Sequence, residues 1–276
     1  MFLIKQSTPL SLLLLPFLCC VLGCDKKSTG ANGASQSSGS GKEAGANDSN
    51  DLQSKYEKAR ALEDKGEFEN AHALYKEIQT ANVDFKDIDA RLDGYGELLT
   101  LLTELKELEG DPPSIRATFH VDIANFLKGR GTDYYAQAKA NYKVAIKLDP
   151  MHFGAHEAMA DFALKEGQYK DAMALLKKAC EIKSEDAAKN AEAHYQLATI
   201  FNILEAEEGG SKKEALKYAE QAVKFSASSS LKERRLLAEL YFESKAKDKA
   251  RKLAELIAGM KGATEEDKAR LEEYKK

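Results

Sequence analysis

The sequence predicts an all-α protein built from repeated pairs of amphipathic helices. Within residues 153–184, Ala172 follows Ala160 at twelve residues, and Leu176 and Ala179 follow Ala172 at four and seven residues. Small residues at these spacings let two helices pack closely, with a larger apolar residue beside them. The same spacing recurs along the chain. The composition, which is rich in Ala, Glu, Lys and Leu, also favours helix.

The composition limits the classes of function. Charged residues make up 31 % of the 276 residues, and the formal net charge is −4 with both signs interspersed. This balance argues against a nucleic-acid partner, which requires a basic surface. Cys180 alone lies outside the first 24 residues, so no intrachain disulfide framework is possible in the body of the chain. We expect Cys180 to be a buried, unreactive thiol.

Residues 1–23 are predicted to be a signal peptide. Lys5 precedes an apolar run that ends at Leu22, and this run is shorter than the roughly 20 residues that a bilayer span needs. The segment ends Val-Leu-Gly-Cys24, which resembles the bacterial lipobox. That resemblance implies that Cys24 is lipidated and becomes the mature N-terminus. An ordinary signal peptide with a chance Cys is the alternative.

Residues 24–50 are predicted to be the lipidated Cys and a disordered Ser/Gly-rich tether. They carry no large apolar residue, so burial cannot offset the entropy of ordering them. A flexible chain of this length reaches on the order of 30 Å. Asp25 resembles an inner-membrane retention signal of enteric bacteria. Because that signal depends on lineage, the sequence leaves the inner and the outer membrane both open.

Residues 51–262 are predicted to form the helical repeats, in five clear pairs. Each pair has a small residue in its first helix and another in its second. The first-helix residues are Ala59, Ala124, Ala160, Ala198 and Ala238, and their second-helix counterparts are Ala71, Ala138, Ala172, Ala215 and Ala250. Gly66 and Gly167 mark the turns of two pairs. Asp111 is expected to cap the first helix of the second clear pair, and Ser211 is expected to cap the second helix of the fourth pair. Ser230 and Glu233 are expected to form a capping box at the start of the fifth pair.

The alanines at 59 and 124 are almost two repeat lengths apart, which leaves room for one more pair. Residues 85–110 carry a Leu-rich face and are predicted to be a degenerate sixth pair whose leucines lie in the core. A docking surface is the alternative for this segment. Residues 263–276 are highly charged and are predicted to be a polar C-terminal capping helix, which a solenoid needs at its end.

Three of the first helices carry a His four residues before the small residue. These are His120, His156 and His194, and the fifth pair has Arg234 in that place. We expect half-buried polar fillers at these positions. His152 and His156 lie four apart on one helix, but no third ligand is evident, so no metal site is predicted.

Taken together, these residues resemble the tetratricopeptide repeat (TPR) family, whose unit is a helix–turn–helix of about 34 residues. Ala124 and Ala160 are 36 residues apart, with the excess in the turn. The family's usual Trp is absent. The resemblance implies a right-handed α-solenoid in which the first helices line a concave groove that binds a partner peptide or helix. Transferred by register, the partner-binding positions are Glu157, Asp161, Lys165, Tyr195, Thr199, Asn202, Lys232, Arg235, Glu239 and Phe242. We expect Tyr195, Arg235 and Phe242 to be the anchors.

The sequence contains no G-x-S-x-G, Walker or dinucleotide-binding motif, so no enzyme activity and no cofactor are predicted. Resemblance to bacterial TPR lipoproteins implies a scaffold that is lipid-anchored in the cell envelope, faces the periplasm and binds protein partners. Such proteins assemble envelope machinery such as pili, secretins or outer-membrane proteins. A cell-wall or small-ligand-binding adaptor lipoprotein is the alternative function.

Overall fold

The protein is all-helical over the residues that the computed structural model describes, which are 44–204 and 209–276. No strand occurs within these ranges. The helices are α1 (Ala44–Asp64), α2 (Phe68–Ala81), α3 (Ile88–Leu92), α4 (Tyr95–Glu107), α5 (Pro113–Gly129), α6 (Tyr135–Leu148), α7 (Phe153–Lys165), α8 (Tyr169–Ile182), α9 (Ala187–Ile203), α10 (Lys212–Phe225), α11 (Lys232–Glu243), α12 (Lys247–Ala258) and α13 (Glu265–Tyr274). A 3-10 turn, Thr132–Tyr134, precedes α6.

Successive helices pack against each other in the order of the sequence. The helices of each pair are in contact (α5 with α6, α7 with α8, α9 with α10, α11 with α12), and each second helix also contacts the first helix of the next pair. Residues 46–276 form one compact unit. Nearest-neighbour packing of this kind defines a solenoid, so the predicted fold class is confirmed.

The alanines that predicted the repeats lie in the helix contacts. All ten of the predicted first- and second-helix alanines are at most 3 % exposed. A larger residue fills the space one turn beyond the second-helix alanine in several pairs, as Tyr75, Tyr142 and Leu176 do with no exposed surface. Close packing therefore depends on the absence of a side chain beyond Cβ at each crossing.

The segment 85–110 forms a shortened pair. Its first helix, α3, has only five residues, and α4 packs against α5. Leu98 is 1 % exposed, and the neighbouring leucines of α4 (Leu99, Leu101, Leu102 and Leu105) are partly buried against the same core. The Leu-rich face is therefore occupied mainly by intramolecular packing.

A buried carboxylate joins the N-terminal helices to this shortened pair. Glu63 of α1 is 2 % exposed and accepts hydrogen bonds from Tyr75, Tyr95 and Tyr134, each at 2.8 Å. Arg91 of α3 donates to Glu63 at 3.0 Å and is itself buried. Burial, reinforced by the charge of Glu63, raises the pKa of all three tyrosines, so each remains a hydrogen-bond donor.

The side chains at the His positions make specific hydrogen bonds in addition to filling space. His156 and His194 are buried rather than half-buried, at 7 % and 5 % exposed, whereas His120 is half-buried. His156 Nε2 donates to the Pro150 carbonyl at 3.0 Å. Arg234, the equivalent residue in the fifth pair, donates to the Ala227 and Ser230 carbonyls at 3.0 and 2.6 Å. His156 and Arg234 therefore satisfy carbonyls of the loop before their own helix, whereas His194 bonds the Asn190 carbonyl within its helix.

The predicted cap at Asp111 is wrong. Helix α5 begins at Pro113, the N-cap position is Pro112 with ψ 138°, and no side chain caps the helix. A residue that precedes proline is biased toward extended backbone, so Pro113 prevents the helix from starting earlier.

The predicted capping box at Ser230 is also wrong. Helix α11 begins at Lys232 without a side-chain cap, and the Ser230 hydroxyl donates to the Glu233 carboxylate instead of capping the backbone. Ser211 does cap α10 as predicted, because its hydroxyl accepts from the Glu214 N–H. A sequence pattern for capping boxes does not determine where the side chains of both partners point.

The predicted signal peptide (1–23), Cys24 and most of the predicted tether lie outside the described residues. Helix α1 begins at Ala44, so the last part of the predicted tether, 44–50, is helical. A helix that is already nucleated propagates at little cost through Ala and polar residues. Within the described ranges, none of the helices combines the length and hydrophobicity that a membrane crossing requires.

Candidate protein-binding groove

The first helix of the third clear pair, α7, places its predicted groove residues along one face. Glu157 and Asp161 are half-buried, and Lys165 is exposed at the end of the helix. The spacing of four residues brings the three side chains onto one stripe. Glu157 and Asp161 line a cavity of about 620 Å³, whereas Lys165 lies outside its lining.

This cavity lies between α5, α7 and the loops that precede α7 and α9. Its charged lining consists of Asp122, Asp149, Glu157, Asp161, Glu185, Lys128, Lys183 and Lys189. Five carboxylates thus face three ammonium groups. The volume is within the range of protein ligand sites, which is about 300–1,000 Å³.

The two predicted carboxylates in the cavity differ in their partners. Asp161 forms an ion pair with Lys128 of α5 at 3.2 Å. Glu157 forms no ion pair or side-chain hydrogen bond with another described residue. Burial raises the pKa of Glu157 above its ordinary value, although the charge of Lys189 opposes the shift. A partly desolvated, unpaired carboxylate is a favourable site for a cation from outside.

On α9, the predicted residues Tyr195, Thr199 and Asn202 are all half-buried. The Thr199 hydroxyl donates to the Tyr195 carbonyl within the helix at 2.9 Å, and Lys212 donates to Asn202 Oδ1 at 2.5 Å. Lys232 of α11 lies over the Tyr195 ring, 5.1 Å from its centre. The α9 surface is therefore polar, with one aromatic ring partly covered by a cation.

On α11, the predicted groove residues contact the C-terminal helix. Arg235 binds Asp267 of α13 through two hydrogen bonds of 2.7 and 2.6 Å. Glu239 pairs with Arg270 at 3.5 Å, and the Phe242 ring stacks on Tyr274 with centroids 4.5 Å apart. The two predicted anchors Arg235 and Phe242 are thus engaged within the chain. Sequence spacing could not show this contact, because it spans about 32 residues.

Ion pairs link the first helices of successive pairs. Lys128 of α5 binds Asp161 of α7, and Lys232 of α11 binds Glu192 of α9. The Arg235–Asp267 pair continues the series to α13. Much of the charge on this face is therefore neutralised internally, whereas the half-buried Glu157 has no ion pair with another described residue.

The groove prediction omitted α5, which contributes to the cavity. Asn125 and Lys128 of α5 both line it, as does Lys189 of α9. Asn125 follows Ala124 as Asp161 follows Ala160, so the same register would have identified it. Lys128 follows Ala124 by four residues, as Asn202 follows Ala198, so the register would also have identified it. Lys189 carries no such signal, since a lysine on a helix is usually solvated.

Other candidate chemistry is absent from the described part of the chain. Cys180 is buried, as expected, and its burial raises the pKa of the thiol to about 12, which disfavours the thiolate. Among residues 44–204 and 209–276, no group of three or more His, Cys, Asp or Glu side chains is arranged to hold a metal ion.

No protein-family model and no curated protein sequence matches the chain. Solved structures do resemble it. The crystal structure of YrrB, described as a TPR protein with an unusual peptide-binding site, is 19 % identical and covers 61 % of this chain and 80 % of its own at a TM-score of 0.50. A crystal structure of MamA is 14 % identical at a TM-score of 0.41, and the match covers 82 % of this chain and 96 % of MamA. A structure of Pseudomonas aeruginosa pilF is also 14 % identical, at a TM-score of 0.42, and the match covers 83 % of this chain and 90 % of pilF. The YrrB likeness shows that the chain has the TPR fold.

Proposed function

We propose, on the premise of this TPR fold, that the chain is a protein-interaction scaffold that binds a segment of a partner protein along α5, α7 and α9. The observation that carries the proposal is the cavity of about 620 Å³ between these first helices. The description of YrrB as a peptide-binding TPR protein agrees with it. A cleft of this size accommodates a few side chains of an extended or helical segment.

The lining selects a basic segment. Five carboxylates against three lysines surround the cavity, and Glu157 lacks an ionic partner among the described residues. A Lys or Arg of the partner would neutralise Glu157 in a partly dry environment, where a charge-assisted hydrogen bond is strong. Glu157 is therefore the residue on which recognition depends most.

Phage display of random peptides against the full chain tests this proposal directly. We expect the selected peptides to be enriched in Lys and Arg. The Glu157→Gln variant should bind them about tenfold more weakly, which corresponds to about 1.4 kcal/mol. Glu255→Gln, which alters an exposed carboxylate on α12, is the matched control and should bind normally. Selected peptides without basic residues, or equal binding by Glu157→Gln, would refute the assignment.

We further propose that Cys24 is lipidated and anchors this scaffold to a bacterial membrane, facing the periplasm. The support is the lipobox-like segment Val-Leu-Gly-Cys24 after an apolar run, followed by a polar stretch. Expression in a lipoprotein-processing bacterium should yield membrane-bound protein with a diacylglycerol-sized mass increase. Cys24→Ala should release the protein from membranes, whereas Cys180→Ala should not. Wild-type protein without a lipid mass would contradict the proposal.

A further inference from the structure

Three side chains of α13 match three side chains of α11 one by one. Asp267 receives two hydrogen bonds from Arg235, Arg270 lies 3.5 Å from Glu239, and Tyr274 stacks on Phe242 at 4.5 Å. The α13 residues are spaced i, i+3, i+7 and therefore lie on one side of the helix. Each contact is different in kind, so the match sets both the register and the direction of the helix.

Helix α13 also packs against α12, where Tyr274 joins Ala254 and Ile257 in a small apolar cluster. Asp267 and Tyr274 are its only buried residues, and Leu271 is partly buried. A cavity of about 190 Å³ remains between α11, α12 and α13 beside Ala238 and Ile257, so the apolar contact is incomplete. Helices with few buried apolar groups undock at low free-energy cost. The connection between α12 and α13 turns at Gly262, whose φ of +91° favours glycine. The conformation of this turn does not depend on the contacts between α13 and α11.

We infer that α13 occupies a binding face of α11 and that a partner can displace it. The partner is an amphipathic helix that carries an acidic residue, a basic residue three positions later and an aromatic residue seven positions later. This inference rests on the proposed function, because it assigns the chemistry of one partner to the end of the same first-helix face. The occupant is a helix of stated pattern, since Arg235, Glu239 and Phe242 offer complementary groups at i, i+4 and i+7.

A fluorescent peptide with the sequence of residues 263–276 tests the inference against the full chain. A tethered helix competes at an effective concentration of about millimolar, so the wild type should bind the peptide weakly. Asp267→Lys in the chain repels its own α13 from Arg235. We therefore expect this variant to bind the peptide at least tenfold more tightly in fluorescence anisotropy.

Charge reversal identifies the face that is bound. The single chain variant Arg235→Glu also repels its own Asp267, so it should not bind the natural peptide but should bind a peptide with Asp267→Lys. Circular dichroism establishes that both chain variants remain helical. Failure of the Asp267→Lys chain to bind the peptide, or equal binding after Arg235→Glu, would overturn the inference.

Two further measurements separate this inference from the proposed function. Amide exchange in the wild type should be at least tenfold faster in α13 than in α12. Equal protection of the two helices would also overturn the inference that α13 can be displaced. Glu157→Gln in the Asp267→Lys chain should leave peptide binding unchanged, whereas loss of binding would overturn its assignment to the α11 face. The phage selection of peptides that bind the cavity beside Glu157 does not depend on either result.

Discussion

At the level of single residues, one backbone position recurs in the turns of the repeats. The residue seven after the first-helix alanine has a positive φ in four pairs, at Gly66, Gly131, Gly167 and Lys245. Left-handed backbone costs a residue with a side chain about 1–2 kcal/mol. Lys245 is thus strained at a position where three other repeats have glycine.

We expect Lys245→Gly to stabilise the protein by about 1 kcal/mol, because it removes this backbone strain. Gly167→Ala should destabilise it by a similar amount through the backbone alone, since no atom lies within 4 Å of the added Cβ. Urea unfolding followed by circular dichroism measures both changes. Lys247→Gly, two residues later at the first position of α12, is the control and should destabilise the helix. A loss of stability in Lys245→Gly would contradict the strain argument.

At the level of the helix, α13 depends on one carboxylate. The hydrogen bonds from Arg235 lower the pKa of Asp267 to about 2, and Asp267 also caps α13 together with Thr264. A carboxylate whose pKa is lower in the folded state contributes stability above its ordinary pKa of about 4 and loses it as the pH falls toward 2. Docking of α13 should therefore be complete at pH 7 and weaken between about pH 4 and pH 2.

The chain contains no Trp, so Tyr274→Trp would provide a single fluorescence reporter for this docking. Its emission should shift to the red between pH 4 and pH 2 as the ring leaves Phe242. In a double variant with Asp267→Asn, the emission should already be red-shifted at pH 7 and vary little over this range. If the double variant kept the emission shift of the Tyr274→Trp single variant between pH 4 and pH 2, the transition would belong to another group.

At the level of the whole molecule, Glu63 connects segments that are distant in the sequence. Its carboxylate receives hydrogen bonds from residues as far away as Tyr134, 71 positions later. Arg91, its ionic partner, is also buried and forms further ion pairs with the exposed Asp87 and Asp133 at 3.0 and 3.4 Å. The N-terminal repeats are thus held by a polar cluster in addition to nearest-neighbour packing.

We expect Glu63→Gln to destabilise the N-terminal repeats by about 2 kcal/mol, because Arg91 keeps only its exposed partners Asp87 and Asp133 and the tyrosines lose a charged acceptor. Tyr134→Phe should cost about 1 kcal/mol. Hydrogen exchange should rise in α1–α4 and stay unchanged in α11–α13, because a solenoid transmits packing only between neighbours. The exposed Glu57→Gln is the control, and uniform exchange along the chain would contradict this local role.

The repeat architecture could be predicted from the sequence because it depends on local spacing. A small residue at a helix crossing and a residue with positive φ in the following turn are needed within a single pair, and Ala160 with Gly167 supplies both. The fold class and the burial of the alanines followed from these residues. Helix starts at Asp111 and Ser230 did not, because neighbouring residues and side-chain directions decided them.

The sequence alone determined the helical pairs, their order and the face on which binding residues were expected. Only the tertiary structure decided which charged residues on that face are available. Glu157 is free among the described residues, whereas Arg235 is held by Asp267 and Glu63 lies in the core. The physical reason is that a charged side chain on an amphipathic helix follows the same periodicity whether it faces water or a partner from a distant part of the chain.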